Sequence, residues 1–104
     1  MQTKSKVETF IGFAIRSSKY KIGVNAVKTL KRAKLIIVCH TASENTVKEG
    51  QKLAKALRCP ILITITKPLA EYVFRANAKV MAITDDALAK AIIDNKENQL
   101  KVLI

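Results

Sequence analysis

The sequence predicts an α/β fold: a three-layer α/β/α sandwich around a small mixed sheet of about four strands. Three observations carry this expectation. Leu35–Cys39 is an unbroken apolar run, too short for an ordinary helix and without polar alternation, so it reads as a strand covered on both faces. The runs Ile61–Ile65 and Lys79–Thr84 (core Val80, Met81, Ala82 and Ile83) have the same character. Stretches with helical spacing alternate with these runs across short loops, which places helices on the faces of one sheet.

Residues 1–4 are expected to be loose. Ser5-Lys6-Val7-Glu8 fits a capping box, and Val7, Phe10, Ile11, Ala14 and Ile15 then mark one face of a helix ending near Ser17 or Ser18. Tyr20–Ile22 has room only for a short strand. Gly23 breaks it and opens a second helix over 24–32, with Val24, Val27 and Leu30 inward. After the central strand, either Thr41 or Ser43 caps a third helix whose buried side carries Val47, Gly50, Leu53, Ala54 and Leu57. Glu44 and Lys48 form an i, i+4 pair on its outer side. Arg58-Cys59-Pro60 ends it, because the residue before a proline avoids helical angles.

Beyond the strand at Ile61–Ile65, Pro68 suits the first turn of a fourth helix, expected to reach Arg75 with Leu69, Tyr72 and Val73 inward. Thr84 or Asp85 caps a fifth helix carrying Leu88, Ala91, Ile92 and Ile93. The polar stretch Asp94–Gln99 follows. Leu100–Ile104 is apolar enough to add an edge strand or to dock on the body, and 95–104 is otherwise expected to be flexible.

A chain of 104 residues, 49% hydrophobic, suits one domain with one core. Its 19 Lys and Arg against 8 Asp and Glu give a formal charge of +11. The cations are interleaved with apolar residues and so belong to folded faces. Such an excess attracts polyanions, most often nucleic acid; the alternative is a basic protein with no such partner. Lys4, Lys6 and Glu8 interrupt any signal-peptide pattern, and no apolar stretch approaches the roughly 18 residues needed to cross a bilayer. A cytoplasmic setting is therefore expected, with Cys39 and Cys59 as reduced, packed thiols rather than disulfide or metal partners.

From Arg16 to Lys34 the chain carries Arg16, Lys19, Lys21, Lys28, Lys31, Arg32 and Lys34 with no acid among them. On a helix over 24–32, Lys28, Lys31 and Arg32 would share one side. Nothing resembles a catalytic set: His40 is the only histidine, Asp85 and Asp86 suit helix capping, and the three glycines form no phosphate-cradling loop. Tyr20 and Tyr72 fit packing better than base stacking. No enzyme activity and no cofactor is expected.

Several stretches recur together: Gly12-Phe13-Ala14, Lys19, Gly23, Ala33–Val38, Ala42-Ser43-Glu44-Asn45-Thr46, Leu69 and Val80–Asp85. In this order and spacing the chain resembles the kink-turn-binding ribosomal protein family over roughly residues 10–93. That family includes archaeal large-subunit protein seven-Ae and eukaryotic large-subunit protein thirty-e, and the closest branch is the small bacterial YlxQ-like proteins. The resemblance implies an α/β/α sandwich docking on a sharply bent RNA with sheared G·A pairs. The family signature Gly-x-Asn-Glu-x-x-Lys opens the second helix, where backbone N–H groups meet phosphate and side chains read guanine edges. Here the stretch is Gly23-Val24-Asn25-Ala26-Val27-Lys28-Thr29. Gly23 and Asn25 match, Ala26 replaces the acid, and Lys28 falls one position early; a one-residue slip restores the lysine and loses the glycine. The family's apolar loop after the fourth helix corresponds to Phe74-Arg75-Ala76-Asn77, with Phe74 at a glycine position and Arg75 and Asn77 at apolar ones.

Together these readings predict a non-catalytic protein that binds structured, kink-turn-like RNA, ribosomal or ribosome-associated. Gly23, Val24 and Asn25 would meet the bent backbone and a base edge, Lys28, Lys31 and Arg32 would neutralise phosphates, and Arg75 and Asn77 would flank the site. The rival expectations are a protein-interaction module that kept the fold but lost RNA, and an accessory RNA-binding subunit of an RNA-modifying enzyme. The oligomeric state is left open.

Overall fold

The computed structural model describes residues 5–103; the expectations for residues 1–4 and for Ile104 lie outside them. Five helices and five strands alternate: α1 (Lys6–Arg16), β1 (Tyr20–Ile22), α2 (Val24–Lys28), β2 (Leu35–Val38), α3 (Glu44–Leu57), β3 (Ile61–Thr64), α4 (Leu69–Val73), β4 (Val80–Ile83), α5 (Asp86–Asp94) and β5 (Leu100–Val102). The sheet order is β1-β4-β2-β3-β5. β2 and β3 run parallel and the other pairs antiparallel, so the sheet is mixed.

All four residues of β2 are buried, which is why the run shows no alternation. Leu35 and Ile37 face one side with Leu62, Met81 and Ile83, under Val7 and Ile11 of α1, Leu69 and Tyr72 of α4 and Ile92 of α5. Ile36 and Val38 face the other with Val80 and Ala82, under Val27 of α2 and Ala54 of α3. These two apolar layers make the three-layer sandwich. Gly50 lets α3 lie close to β2: a Cβ there would stand 2.8 Å from Cγ2 of Val38.

The caps are local chemistry. Ser5 accepts from the Glu8 N–H, Ser43 from the Thr46 N–H at 3.2 Å, and Asp85 from the Leu88 N–H at 2.9 Å. Of the alternatives left open, Ser43 caps α3 in place of Thr41, and Asp85 caps α5 in place of Thr84.

Four expectations need correction. α2 ends at Lys28, not at 32. Thr29 and Leu30 donate to the carbonyls of Ala26 and Val27, three residues back, and the Thr29 hydroxyl donates to Ala26 at 2.6 Å, so the last turn tightens and stops. Residues 30–34 then run on toward β2 outside any helix. α4 begins at Leu69 with Pro68 as its cap residue, and ends at Val73 because Phe74 turns left-handed with φ 56°. The central strand ends at Val38, leaving Cys39 in the following turn. The sheet has five strands rather than about four: Leu100–Val102 pairs antiparallel with β3, so this part of 95–104 is not loose. Both edge strands, β1 and β5, are three residues long.

Candidate nucleic-acid interface

Two turns meet at one end of β4. The Gly23 N–H donates to the Val80 carbonyl at 2.8 Å, which brings the β1–α2 junction to the point where β4 starts. The chain enters β4 there from the turn after α4, residues 74–79. Gly23 has φ +97°, a value that strains any L side chain, so glycine permits this junction. Val24 is half-buried against the α2–α3 layer, and Asn25 is exposed.

On the second turn, Phe74 and Asn77 both have left-handed backbones, φ 56° and 66°. That geometry turns Phe74 out of the core, and its side chain is 82% exposed. Arg75 reaches back to β1: its guanidinium donates to the Tyr20 hydroxyl at 3.0 Å. A hollow of about 330 Å³ lies between Arg75, Tyr20, Lys21, Ile22 and Ala26. Gly23, Val24 and Asn25 lie between Ile22 and Ala26, which line this hollow with Arg75; Asn77 is on the same turn as Arg75, and Phe74 lines a separate hollow with Gly12, Ile15 and Arg16 of α1. Sequence reasoning noticed Phe74 only as a departure from glycine. Its signal was a large aromatic in a turn, between a helix and a strand that are already well packed.

Lys28 sits at the far end of α2, and its ammonium lies 3.7 Å from the Glu49 carboxylate of α3. Both side chains are well exposed, so this pair is weak and yields readily to a competing anion. Lys31 and Arg32 lie beyond the helix, on the stretch that leads to β2. The Lys34 N–H donates to the Ile83 carbonyl, at the other end of β4 from Val80. Three residues of strand separate those ends by about 10 Å. The expected single face of Lys28, Lys31 and Arg32 is therefore corrected: it required a helix to 32, and the chain leaves the helix at 28.

The turn after β2 is closed by polar contacts. The His40 backbone N–H donates to the Thr64 hydroxyl at 3.0 Å, and that hydroxyl lies 2.8 Å from Nδ1. Cys39 is fully buried; burial pushes its thiol up, but hydrogen bonds from Thr41 and the Leu69 backbone and the charge of Lys79 outweigh it, and its pKa falls below the ordinary thiol value. Cys59 shows only the burial effect, and its pKa rises. Both thiols are free. Tyr72 is packed, as expected, with its hydroxyl 2.6 Å from Gln99 Oε1. Among the described residues, no group of three or more His, Cys, Asp and Glu is placed to hold a metal ion, and no helix is long and apolar enough to cross a membrane.

No protein-family model matches the chain, and no curated protein matches it. Among solved structures, one of a protein of unknown function from Bacillus halodurans is similar, with a TM-score of 0.72. At 17% identity the match covers 88% of this chain and 96% of that one, a likeness of fold.

Proposed function

We propose that the protein binds structured RNA without catalysing a reaction, using the end of the sheet where β1 passes into α2 and the 74–79 turn enters β4. The observation that carries this reading is the 82% exposed ring of Phe74 between a left-handed turn and Arg75. Exposing an aromatic ring to water forfeits about 1.5–3 kcal/mol of burial, so its outward position calls for a use. An unstacked base supplies the matching surface, and Arg75 supplies charge for the phosphate beside it. Gly23 and Asn25 lie between Ile22 and Ala26, two residues that line the hollow, and there the chain would offer backbone and an amide to a bent strand. The overall charge of +11 draws the polyanion in.

This site supports recognition of a kinked or bulged RNA over a regular duplex, since only an unpaired base can reach the ring. A ribosomal or ribosome-associated RNA fits the resemblance of the chain. The test is fluorescence anisotropy with a kink-turn RNA and an unbent duplex of equal length. Base stacking on a side chain is worth about 1–3 kcal/mol, so Phe74→Ala should weaken the kink-turn complex by roughly 5- to 150-fold. Kink-turn affinity unchanged in Phe74→Ala would overturn the reading.

A further inference from the structure

We infer that the opposite end of the sheet carries a second RNA-backbone surface, formed by Lys31, Arg32, Lys34 and Arg58. It shares the RNA reading above but rests on different residues. Its geometry follows from the topology. β2 and β3 are parallel neighbours, so the segments entering them arrive at the same end of the sheet. One entry is the extended stretch 30–34; the other is Arg58-Cys59-Pro60, tied to β2 by the Ile36 N–H donating to the Pro60 carbonyl at 3.0 Å. Arg58 closes α3 in a left-handed conformation, φ 55°, which turns the chain back toward Lys31–Lys34. All four cations are exposed and line one hollow of about 430 Å³.

The charge there is not balanced from within. Asp86 is the single acid among the residues lining the hollow. Among the described residues, Glu49, Glu44 and Glu8 pair with Lys28, Lys48 and Lys67, and none of the four cations of the hollow makes an ion pair. Four like charges held together on two separate chain segments repel one another until an anion joins them. The rest of the lining is Ala33, Leu57, Cys59 and Pro60, without an aromatic ring to stack a base or an amide to read one. Such a surface takes phosphates and ignores sequence, which is the behaviour of a site for regular RNA backbone. It lies beyond Ile83, whereas Gly23 lies before Val80 and the 74–79 turn leads into Val80, so the protein can hold a bent RNA at one end and a plain helix at the other.

The experiment measures a plain 20-base-pair RNA duplex and a kink-turn RNA against the whole protein across a salt series. The variants are Lys31→Ala/Arg32→Ala/Lys34→Ala, Arg58→Gly (glycine suits the left-handed backbone) and Phe74→Ala, each checked for folding by circular dichroism. The triple variant should lose about a hundredfold in duplex affinity near 0.1 M salt and flatten the salt slope by about 2–3. Arg58→Gly should flatten it by just under one. Phe74→Ala should leave duplex binding intact. In the wild type, a donor-labelled kink-turn RNA and an acceptor-labelled duplex should show energy transfer, which the triple variant abolishes. Absence of duplex binding by the wild type at 50 mM salt, or a triple variant with unchanged affinity and slope, would overturn the inference. So would a triple variant and Phe74→Ala that each abolish binding of both RNAs, since that describes a single surface. If Phe74→Ala leaves kink-turn binding intact while the triple variant loses the duplex, the Phe74 reading fails and this surface stands.

Discussion

Arg75 lies against Tyr20. Its Nη2 donates to the phenol oxygen at 3.0 Å, and the guanidinium carbon sits 5.8 Å from the ring centroid. This contact joins the 74–79 turn to Tyr20, the first residue of β1, and it holds a cation next in sequence to the exposed Phe74. Arg75→Ala should weaken kink-turn RNA binding about tenfold or more, the weight of one charge-assisted hydrogen bond of about 1.5–3 kcal/mol. Tyr20→Phe keeps the ring and loses only the hydroxyl, so its effect should be smaller, within about fivefold. Titration of the same RNA with both variants checks the order; a Tyr20→Phe loss as large as that of Arg75→Ala would mean that the hydroxyl itself touches RNA.

Gly23→Ala should destabilise the protein by about 1–3 kcal/mol, because φ +97° is open to glycine and strained for alanine although no atom lies within 4 Å of the added Cβ. The cost is in the backbone, not in packing. Chemical denaturation should therefore show a lower midpoint with an unchanged slope.

Gly50→Ala sets two effects against each other. Alanine is the better helix former by about 1 kcal/mol, but its Cβ would meet the stiff, buried Val38 at 2.8 Å, and overpacking of this kind costs about 1–3 kcal/mol. The net expectation is a lower Tm. In a Val38→Ala background the clash disappears, and Gly50→Ala should become neutral or stabilising. A double-mutant cycle measures that coupling.

Glu8 and Lys67 link α1 to the start of α4, with Nζ 2.9 Å from the carboxylate. The hydrogen bond from Lys67, against an opposing burial effect, holds the Glu8 carboxyl below its usual range. A depressed carboxylate contributes stability that is complete above its unfolded value, about 4.3, and is lost as pH falls through the folded value. Glu8→Gln should therefore be less stable than the wild type at pH 7, and the gap should close as the pH drops below about 4. Urea midpoints of the two proteins between pH 7 and pH 3 check this.

The two thiols should separate by access. Cys39 is fully buried and Cys59 partly open, so a thiol reagent should label Cys59 in the native state and Cys39 only on unfolding, despite the lower thiol pKa of Cys39. Mass mapping of labelled peptides with and without denaturant reads this directly.

Much of this architecture was legible because it is set by neighbours in the chain. Ser5, Ser43 and Asp85 cap their helices through hydrogen bonds to residues three positions on. Leu35–Val38 announces a strand because both its faces are covered. The length of α2 was not legible: Val24, Val27 and Leu30 keep helical spacing past the point where the chain must leave the helix to enter β2. That one misreading put Lys31 and Arg32 on a helical face with Lys28 that the chain, leaving the helix at Lys28, does not form. Arg58 escaped notice for a related reason. Its partners in the hollow lie more than twenty residues earlier, and only the parallel pairing of β2 with β3 brings them together. The exposure of Phe74 depends on a left-handed turn that no glycine marked.

The brevity of the outer strands bears on how the protein behaves when concentrated. Each offers three residues to an incoming chain and carries an exposed lysine, Lys21 in β1 and Lys101 in β5. A foreign strand would find little length to pair with and a charge to desolvate, so growth of the sheet from molecule to molecule is blocked at both borders. A sequence this rich in aliphatic residues thereby keeps its sheet from presenting a long free edge.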